Sequence, residues 1–396
     1  MNKIEKMIKE LCPNGVEWKK LGEIARFKYG YTGTALDTGS VRYIRITDIT
    51  TRGVLDSKDA KYIDLTEDNK NYILKKGDIL MARTGATFGK TLYFSECHPC
   101  IYASFLIKIE LSSCVNPRYY WHFSQSNIYW NQAYKFVGGG AQPQFNTNAV
   151  SQVSIPLPPL PIQTEIVRIL DKFVEQQEQL ERLIELRKKQ YEYYREEMLK
   201  PKEGEKWETV TIGELGTITR GRRFVRDDVR DSGMPCIHYG DMYTYYGITA
   251  KTTKTFLDRD FPKKMQYAKK GDVVVVGAGE NDLDIGVGTV WEGEEPAAVH
   301  DACYILEHKQ NPKYIAYFLR TNNYHQQLRK YVSDGKICSI SSKGLGSCFI
   351  PIPSLTKQQE IVDFLDNFED NISKMKSALE LSKKRYEYYR DKMLRF

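Results

Sequence analysis

The chain lacks any run of roughly 18 apolar residues, so nothing in it reads as a membrane-spanning helix. Its opening stretch, Met1 to Glu10, alternates charge with isolated apolar side chains and has no apolar core of the kind a secretory signal needs. A cytoplasmic protein is expected. Cysteine is scarce, eight residues in 396, and in that compartment they are expected as reduced thiols. Cys97 and Cys100 form a lone C-x-x-C around His98 and Pro99, and no second C-x-x-C completes a zinc site, although Cys114 and His122 could add ligands. Loop and core thiols are the expectation, with no metal. A strong excess of either charge is missing too: 58 Lys and Arg face 51 Asp and Glu, for a net +7. That mild basicity favours an anionic partner without identifying one. What remains, 41% hydrophobic and 28% charged residues, is ordinary for a soluble globular chain, and 396 residues are too many for one core.

An internal repeat organises the rest. Residues 155 onward read IPLPPLPIQTEIVRILDKF and residues 350 onward read IPIPSLTKQQEIVDFLDNF, an offset of 195 that holds without a gap to the last residue. Tyr191-Glu192-Tyr193-Tyr194-Arg195 thus recurs as Tyr386-Glu387-Tyr388-Tyr389-Arg390. Weaker echoes lie upstream: Leu21-Gly22-Glu23 with Ile212-Gly213-Glu214, Asp48 with Asp241, Lys75 to Asp78 with Lys269 to Asp272, and Asn116-Pro117 with Asn311-Pro312. One unit is used twice. Its last part is closely matched and its first part has diverged.

Each unit opens with a mixed α and β region. Short β-branched and aromatic runs such as Val41 to Ile46, Asp78 to Met81 and Val273 to Val276 read as strands. Pro117 to Ala133 and Pro312 to Val332 read as helices, with Asn116 and Asn311 as N-caps before a proline at the first helical position. Each unit then closes on a Pro-rich hinge, Pro156, Pro158, Pro159 and Pro161 or Pro351 and Pro353, and a long helix. The apolar seam of the second copy is Ile361, Leu365, Phe368, Ile372, Met375, Leu379, Tyr386, Tyr389 and Met393, with Ser382 in its one gap. That of the first is Ile166, Leu170, Phe173, Gln177, Leu180, Ile184, Arg187, Tyr191, Tyr194 and Met198. Steps of four and three over several heptads predict a coiled coil. With the order domain, helix, domain, helix, two helices that bury their seams on each other run antiparallel, which relates the units by an approximate twofold axis. A helix of about 35 residues spans roughly 50 Å, more than the roughly 34 Å of one turn of B-DNA. Such a spacer suits two short, different half-sites separated by unread base pairs.

The pattern P-L-P-P-L-x-x-Q-x-x-I-V-x-x-L-D, here Pro156 to Asp171 and less completely Pro351 to Asp366, resembles the specificity subunits of type I restriction-modification systems. So does the opening Glu10 to Trp18, ELCPNGVEW, leading into Leu21-Gly22-Glu23. The second hinge departs at Ser354, where the first has Pro159. The resemblance implies an α+β chain of two target-recognition domains, 1–158 and 201–353, and two conserved spacer helices, 159–200 and 354–396. It implies that each domain reads one half of a bipartite double-stranded DNA target through the major groove. The helices would dock two modification (methyltransferase) subunits, to which restriction subunits can add. No cofactor is expected in this chain, S-adenosylmethionine being expected in the modification subunit and ATP with Mg in a restriction subunit; no membrane is involved.

Positions that recur in place but differ in type are the natural readers of sequence. In the first domain these are Tyr29, Arg42, Arg45, Thr47, Arg83, Thr84 and Lys90, with Gln142, Gln144 and Asn146 in the loop from Gly138. In the second they are Arg220, Arg222, Arg223, His238, Tyr239, Lys336, Ser341, Ser342 and Lys343. Arg suits guanine, and Gln or Asn suits adenine. Tyr193, Arg195, Tyr388 and Arg390 lie off the seam in both copies and are candidates for partner docking.

Three near-motifs point elsewhere and fall short. Gly85 to Thr91 is one residue too short for a P-loop, and Gly277-Ala278-Gly279 has Asp282 where a dinucleotide fingerprint needs its third glycine. Asn116-Pro117-Arg118-Tyr119 and Asn311-Pro312-Lys313-Tyr314 resemble the N-P-P-Y of adenine methyltransferases, but the second proline is Arg or Lys. The rival readings, a stand-alone DNA methyltransferase or nuclease and a purely structural coiled-coil dimeriser, are therefore less favoured. A catalytic site is not expected.

Overall fold

Short β-branched runs and glycine turns build two separate mixed domains in the computed structural model, which describes residues 2–56, 58–137, 143–261, 264–280, 284–333, 335 and 337–396. The chain groups into two compact units, Met1–Glu181 with Ser377–Phe396, and Arg182–Lys376. In the first unit, strands Ala25–Tyr29, Leu106–Leu111, Ile79–Ala82 and Thr91–Tyr93 form an antiparallel sheet in that order. A smaller sheet carries Val41–Ile44 between Tyr62–Ile63 and a parallel neighbour, Cys100–Tyr102. In the second unit, the corresponding order is Gly216–Arg220, Cys303–His308, Val273–Val276 and Gly288–Trp291, extended by Thr249–Ala250. Its second sheet is built on Met234–Ile237, parallel to Ala297–Val299.

Asn116 and Asn311 cap their helices as expected, each side chain accepting two backbone N–H bonds, from Arg118 and Tyr119 and from Lys313 and Tyr314. The single helices expected after them are each two: Pro117–Ser124 and Asn127–Phe136, and Pro312–Phe318 and Asn322–Leu328. One hydroxyl makes the break in both. The Ser126 side chain donates to Phe123 O at 2.6 Å and caps the next helix by accepting from Tyr129 N at 3.2 Å. Thr321 does the same with Phe318 O at 2.8 Å and Tyr324 N at 3.3 Å. The strand expected over Val41 to Ile46 stops at Ile44, followed by a single turn, Ile46–Asp48.

Two-stranded ribbons close each domain, pairing Trp18–Lys20 with Ser154–Pro156 and Glu208–Thr211 with Phe349–Ile352. Immediately after each ribbon a 39-residue helix begins, Leu160–Met198 or Leu355–Met393. Pro161 sits in the first turn, where a missing N–H costs no hydrogen bond. The predicted seam is where the helices meet. In the first unit Phe173 stacks on Tyr389 with ring centroids 5.6 Å apart, and Gln176 meets Ser382 at 3.4 Å. In the second unit Tyr191 donates to Glu369 at 2.7 Å, and Tyr194 packs on Phe364 and Phe368, each at 5.4 Å. In both units one helix ascends as the other descends, so they pair antiparallel. The α+β class with an internal repeat and two antiparallel coiled helices stands.

Candidate nucleic-acid interface

The repeat extends to the way each domain is fastened to its helix. Gln163 and Gln358, the Q of the repeated motif, are fully buried. Gln163 accepts from Asn116 N at 2.8 Å and donates to Cys114 O at 2.9 Å and Pro158 O at 2.7 Å. Gln358 accepts from Asn311 N at 2.9 Å and donates to Gln310 Oε1 at 2.8 Å and Pro353 O at 2.9 Å. The motif's final Asp does the second fastening. Asp171 accepts from Arg118 Nε at 2.8 Å and meets His122 Nε2 at 2.8 Å, while Tyr386 OH meets His122 Nδ1 at 2.9 Å. Asp366 binds Lys313 at 2.8 Å and Tyr317 OH at 2.7 Å. Burial pushes His122 down to about 4, against the upward pull of Asp171, so its imidazole is neutral near pH 7. Burial alone would raise the Asp171 carboxyl, but the His122 hydrogen bond and the Arg118 charge hold it below its ordinary value. Neither Gln nor Asp was assigned a role from sequence; the signal was their recurrence inside the motif.

At the outer edge of the first domain, several expected readers come together. Arg83 leaves the end of Ile79–Ala82, donates from Nε to Ser104 O at 3.1 Å, and lies between the rings of Tyr29 at 5.1 Å and Phe105 at 5.3 Å. Thr84 is buried and forms a backbone bridge with exposed Gln144. Asn146 is exposed and caps Thr147–Ser151, accepting from Ala149 N at 3.0 Å, and the Tyr29 hydroxyl lies 3.3 Å from Thr147 Oγ1. Half-buried Lys90 closes the adjoining Gly85–Thr87 turn, its N–H donating to Thr87 O at 3.1 Å. Gln142 lies outside the described residues.

Arg42 belongs to the other sheet, Arg45 and Thr47 lie in the turn that follows its strand, and none of the three joins this edge. Arg42 is buried and donates to the Asp56 carbonyl. Arg45 is committed to Asp48 at 2.8 Å and Asp59 at 3.3 Å, and only Thr47 is exposed.

The second domain gathers a more cationic edge. Arg220 donates from Nε to Asp301 O at 2.8 Å, and Arg222 and Arg223 are exposed beside it. His238, Tyr239, His300 and Phe224 form an aromatic cluster, with His238 centroids 4.4 Å from Tyr239 and 4.7 Å from His300. Burial lowers both histidines, His300 also through the neighbouring His238 charge. Ser341, Ser342 and Lys343 are exposed at the start of a short helix that Ser341 caps. Lys336 lies outside the described residues. Phe105, His300 and Asp301 escaped the sequence reading because loop-length differences shift the offset there.

Of the docking candidates, Tyr193 and Tyr388 are 61% and 59% exposed, near-identical values at repeated positions. Arg390 is buried, bonded to Asp391 at 3.0 Å and folded over Tyr386. Arg195 likewise folds over the Tyr191 ring at 5.4 Å.

The enzyme-like near-motifs have structural roles. The Asn116 and Asn311 amides are spent on helix caps, and Gly85–Thr87 is a single turn. Among the described residues no His, Cys, Asp and Glu group could hold a metal, and no helix is long and apolar enough to cross a membrane.

The model of the type I restriction modification DNA specificity domain matches twice, over residues 13–188 and 204–381. The chain belongs to that family. The two matches take in both sheets of each domain and more than half of each long helix, so this specificity family accounts for the repeat as a whole. The chain is 30% identical over 289 residues to the EcoR124I/EcoR124II type I restriction enzyme specificity subunit of Escherichia coli, covering 66% of this chain and 68% of that one. It is 23% identical over 368 residues to the MjaVIII specificity subunit of Methanocaldococcus jannaschii, covering 85% and 83%. A chain solved in work on complex assembly and conformational transition of the type I R-M system shares the fold, with a TM-score of 0.61 at 20% identity over 97% of this chain and 98% of that one. As a specificity subunit, the chain is a DNA-recognition component and not the catalyst.

Proposed function

We propose that this chain reads an asymmetric, split target in double-stranded DNA for a type I restriction-modification complex, one half-site per domain. The target-recognition domains would be 1–158 and 201–353, and the helices 159–200 and 354–396 would set the count of unread base pairs between half-sites. Each helix of 39 residues is about 58 Å long. The observation that carries the reading is one scaffold used twice with exchanged residues at the same edge: Tyr29, Arg83, Gln144 and Asn146 in one domain, Arg220, Gly277, Ser339 and Ser341 in the other. Constant backbone with variable polar tips is what reading two different sequences requires. Lys90, Arg222, Arg223, His238, Tyr239, Ser342 and Lys343 complete the proposed surface. Arg42 is left out because it is buried, Arg45 because it is bonded to Asp48 and Asp59, and Thr47 because it stands away from this edge.

Catalysis would belong to partners: two modification subunits supplying S-adenosylmethionine chemistry, with restriction subunits supplying ATP- and Mg-dependent cleavage where they join. A cytoplasmic site of action fits that assembly. Sequencing modified bases in the source genome with and without this gene tests the reading. Loss of one split, asymmetric motif is expected. Persistence of every motif, or methylation of DNA by the pure chain given the methyl donor, would overturn it.

A further inference from the structure

Both domains hold an arginine at the same point of their shared scaffold and bring it there from different strands. In the first domain, Gly30 N donates to Leu106 O at 3.0 Å and Tyr31 N to Tyr102 O at 2.9 Å, bracketing a turn. In the second, Gly221 N donates to Cys303 O at 3.0 Å and Arg222 N to Val299 O at 2.9 Å. Matching these bonds makes Ser104 the counterpart of Asp301 and Tyr29 the counterpart of Arg220. The close approach demands glycine in both: a Cβ would lie 2.1 Å from Ala103 O at Gly30 and 2.2 Å from His300 O at Gly221. On this turn the Ser104 or Asp301 carbonyl accepts an arginine Nε–H, from Arg83 in one domain and Arg220 in the other.

The change of strand has a steric cause. The counterpart of Arg83 is Gly277, since Arg83 N donates to Phe105 O at 3.1 Å and Gly277 N to Ala302 O at 2.7 Å. A Cβ at Gly277 would lie 2.5 Å from the Tyr304 ring, whose hydroxyl is tied to Ile340 O at 2.8 Å. No side chain can leave the sheet there, and the arginine comes instead from Gly216–Arg220, the strand on the other side of Cys303–His308.

We infer that this anchored arginine is the guanine-reading residue of each domain, Arg83 for one half-site and Arg220 for the other. The inference rests on the DNA-reading function proposed above. With Nε–H bound to the turn, the two Nη groups remain as a parallel pair of donors, the arrangement that matches guanine O6 and N7 in the major groove. Among the described residues no hydrogen bond or ion pair occupies the Nη atoms of either arginine. Anchoring also removes much of the rotamer entropy that a free arginine loses on binding. In the first domain the rings of Tyr29 and Phe105, 41% and 51% exposed, fix the guanidinium plane at an open edge. Each half-site must then contain a G·C pair.

The test uses the complex with its modification subunits and sequences the methylated sites made by wild type, R83A, R83K, R220A and R222A. R83A should relax one guanine position of one half-site by about tenfold or more, leaving the other half-site as it was. R220A should do the same in the other half-site. R83K keeps the charge and loses the fork, so the same position should relax. R222A should leave the guanine position assigned to Arg220 as strict as in wild type. A half-site without guanine, or R83A and R83K with the wild-type motif, overturns the inference. If the variants are inactive, wild-type binding to targets carrying 7-deazaguanine at single positions decides it. One sensitive guanine per half-site is expected, and none overturns it. A wild-type complex whose motif does not depend on this chain would refute the function itself.

Discussion

The two domains are alike where they are fastened and unlike where they are open. At the base, Gln163 and Gln358 hold the helix start to the domain through matching bonds, and Asp171 and Asp366 hold the next turns. At the edge, Tyr29 and Arg83 face Arg220 and Gly277 in equivalent positions. At the edge side chains change freely, whereas in the base an exchange such as His122 for Tyr317 keeps its bond to the motif's Asp. Where the side chain holds backbone groups of its own domain, as Gln163 and Gln358 do, the residue itself recurs.

Breaking the base should have the largest effect. Gln163→Leu leaves a part-buried N–H at Asn116 and two carbonyls, at Cys114 and buried at Pro158, without their partner. At about 1–3 kcal/mol for each stranded group, a loss of about 3 kcal/mol or more is expected. Gln358→Leu should cost about 1 kcal/mol less, because one of its three partners is the Gln310 side chain, which can turn to water. Thermal unfolding midpoints and hydrogen exchange at each helix start measure both. The reverse order would mean that the two bases are not equivalent.

An exchange within the base sharpens the contrast. His122 stands where the second unit has Tyr317, and Val174 where it has Glu369. Because burial lowers His122 from 6.5 to about 4, the unfolded chain takes up its proton first on acidification. Stability from this group is intact above pH 6.5 and is lost progressively as pH falls toward 4, on the order of 3 kcal/mol in full. The pair H122Y with V174E installs the second unit's version, a tyrosine on Asp171 and a carboxylate for Tyr386. Its stability should fall less than wild type between those pH values, measured by denaturant unfolding. Half-buried histidines of the second unit, His238, His300, His308 and His325, are also lowered and titrate in both proteins, so the difference between them reports His122. Parallel pH profiles would show that His122 is not the acid-sensitive group.

Much of this was legible in the sequence, and the rest was hidden for physical reasons. The seam from Ile361 to Met393 and the caps at Asn116 and Asn311 follow from local periodicity and side-chain chemistry, so they could be read. The helix breaks at Ser126 and Thr321 carried the same kind of signal, a hydroxyl that caps forward and bonds backward. Arg42 misled because a strand flanked on both sides is buried throughout, Val41 to Ile44 alike, so an arginine in it points to no solvent. The equivalence of Arg83 and Arg220 was out of reach. It depends on which carbonyl each reaches across the sheet, and loops of unequal length move the repeat's offset between the two.

The smallest expected effect concerns a feature the two halves share. Leu186 and Tyr193 are seven residues apart on one helix face and 52% and 61% exposed; Leu381 and Tyr388 repeat them at 51% and 59%. Exposed tyrosine and leucine kept at both repeats, on a helix whose seam is already covered, suit the proposed docking of one modification subunit per repeat. Tyr193→Ala and Tyr388→Ala should each weaken one docking event by about 2 kcal/mol, and the mass of the co-purified complex should fall from two modification subunits to one. The double variant should lose both while each domain keeps its melting behaviour, since neither side chain belongs to a core. Unchanged stoichiometry in the double variant would place docking elsewhere. Loss of both subunits from a single variant would mean that the repeats do not act independently.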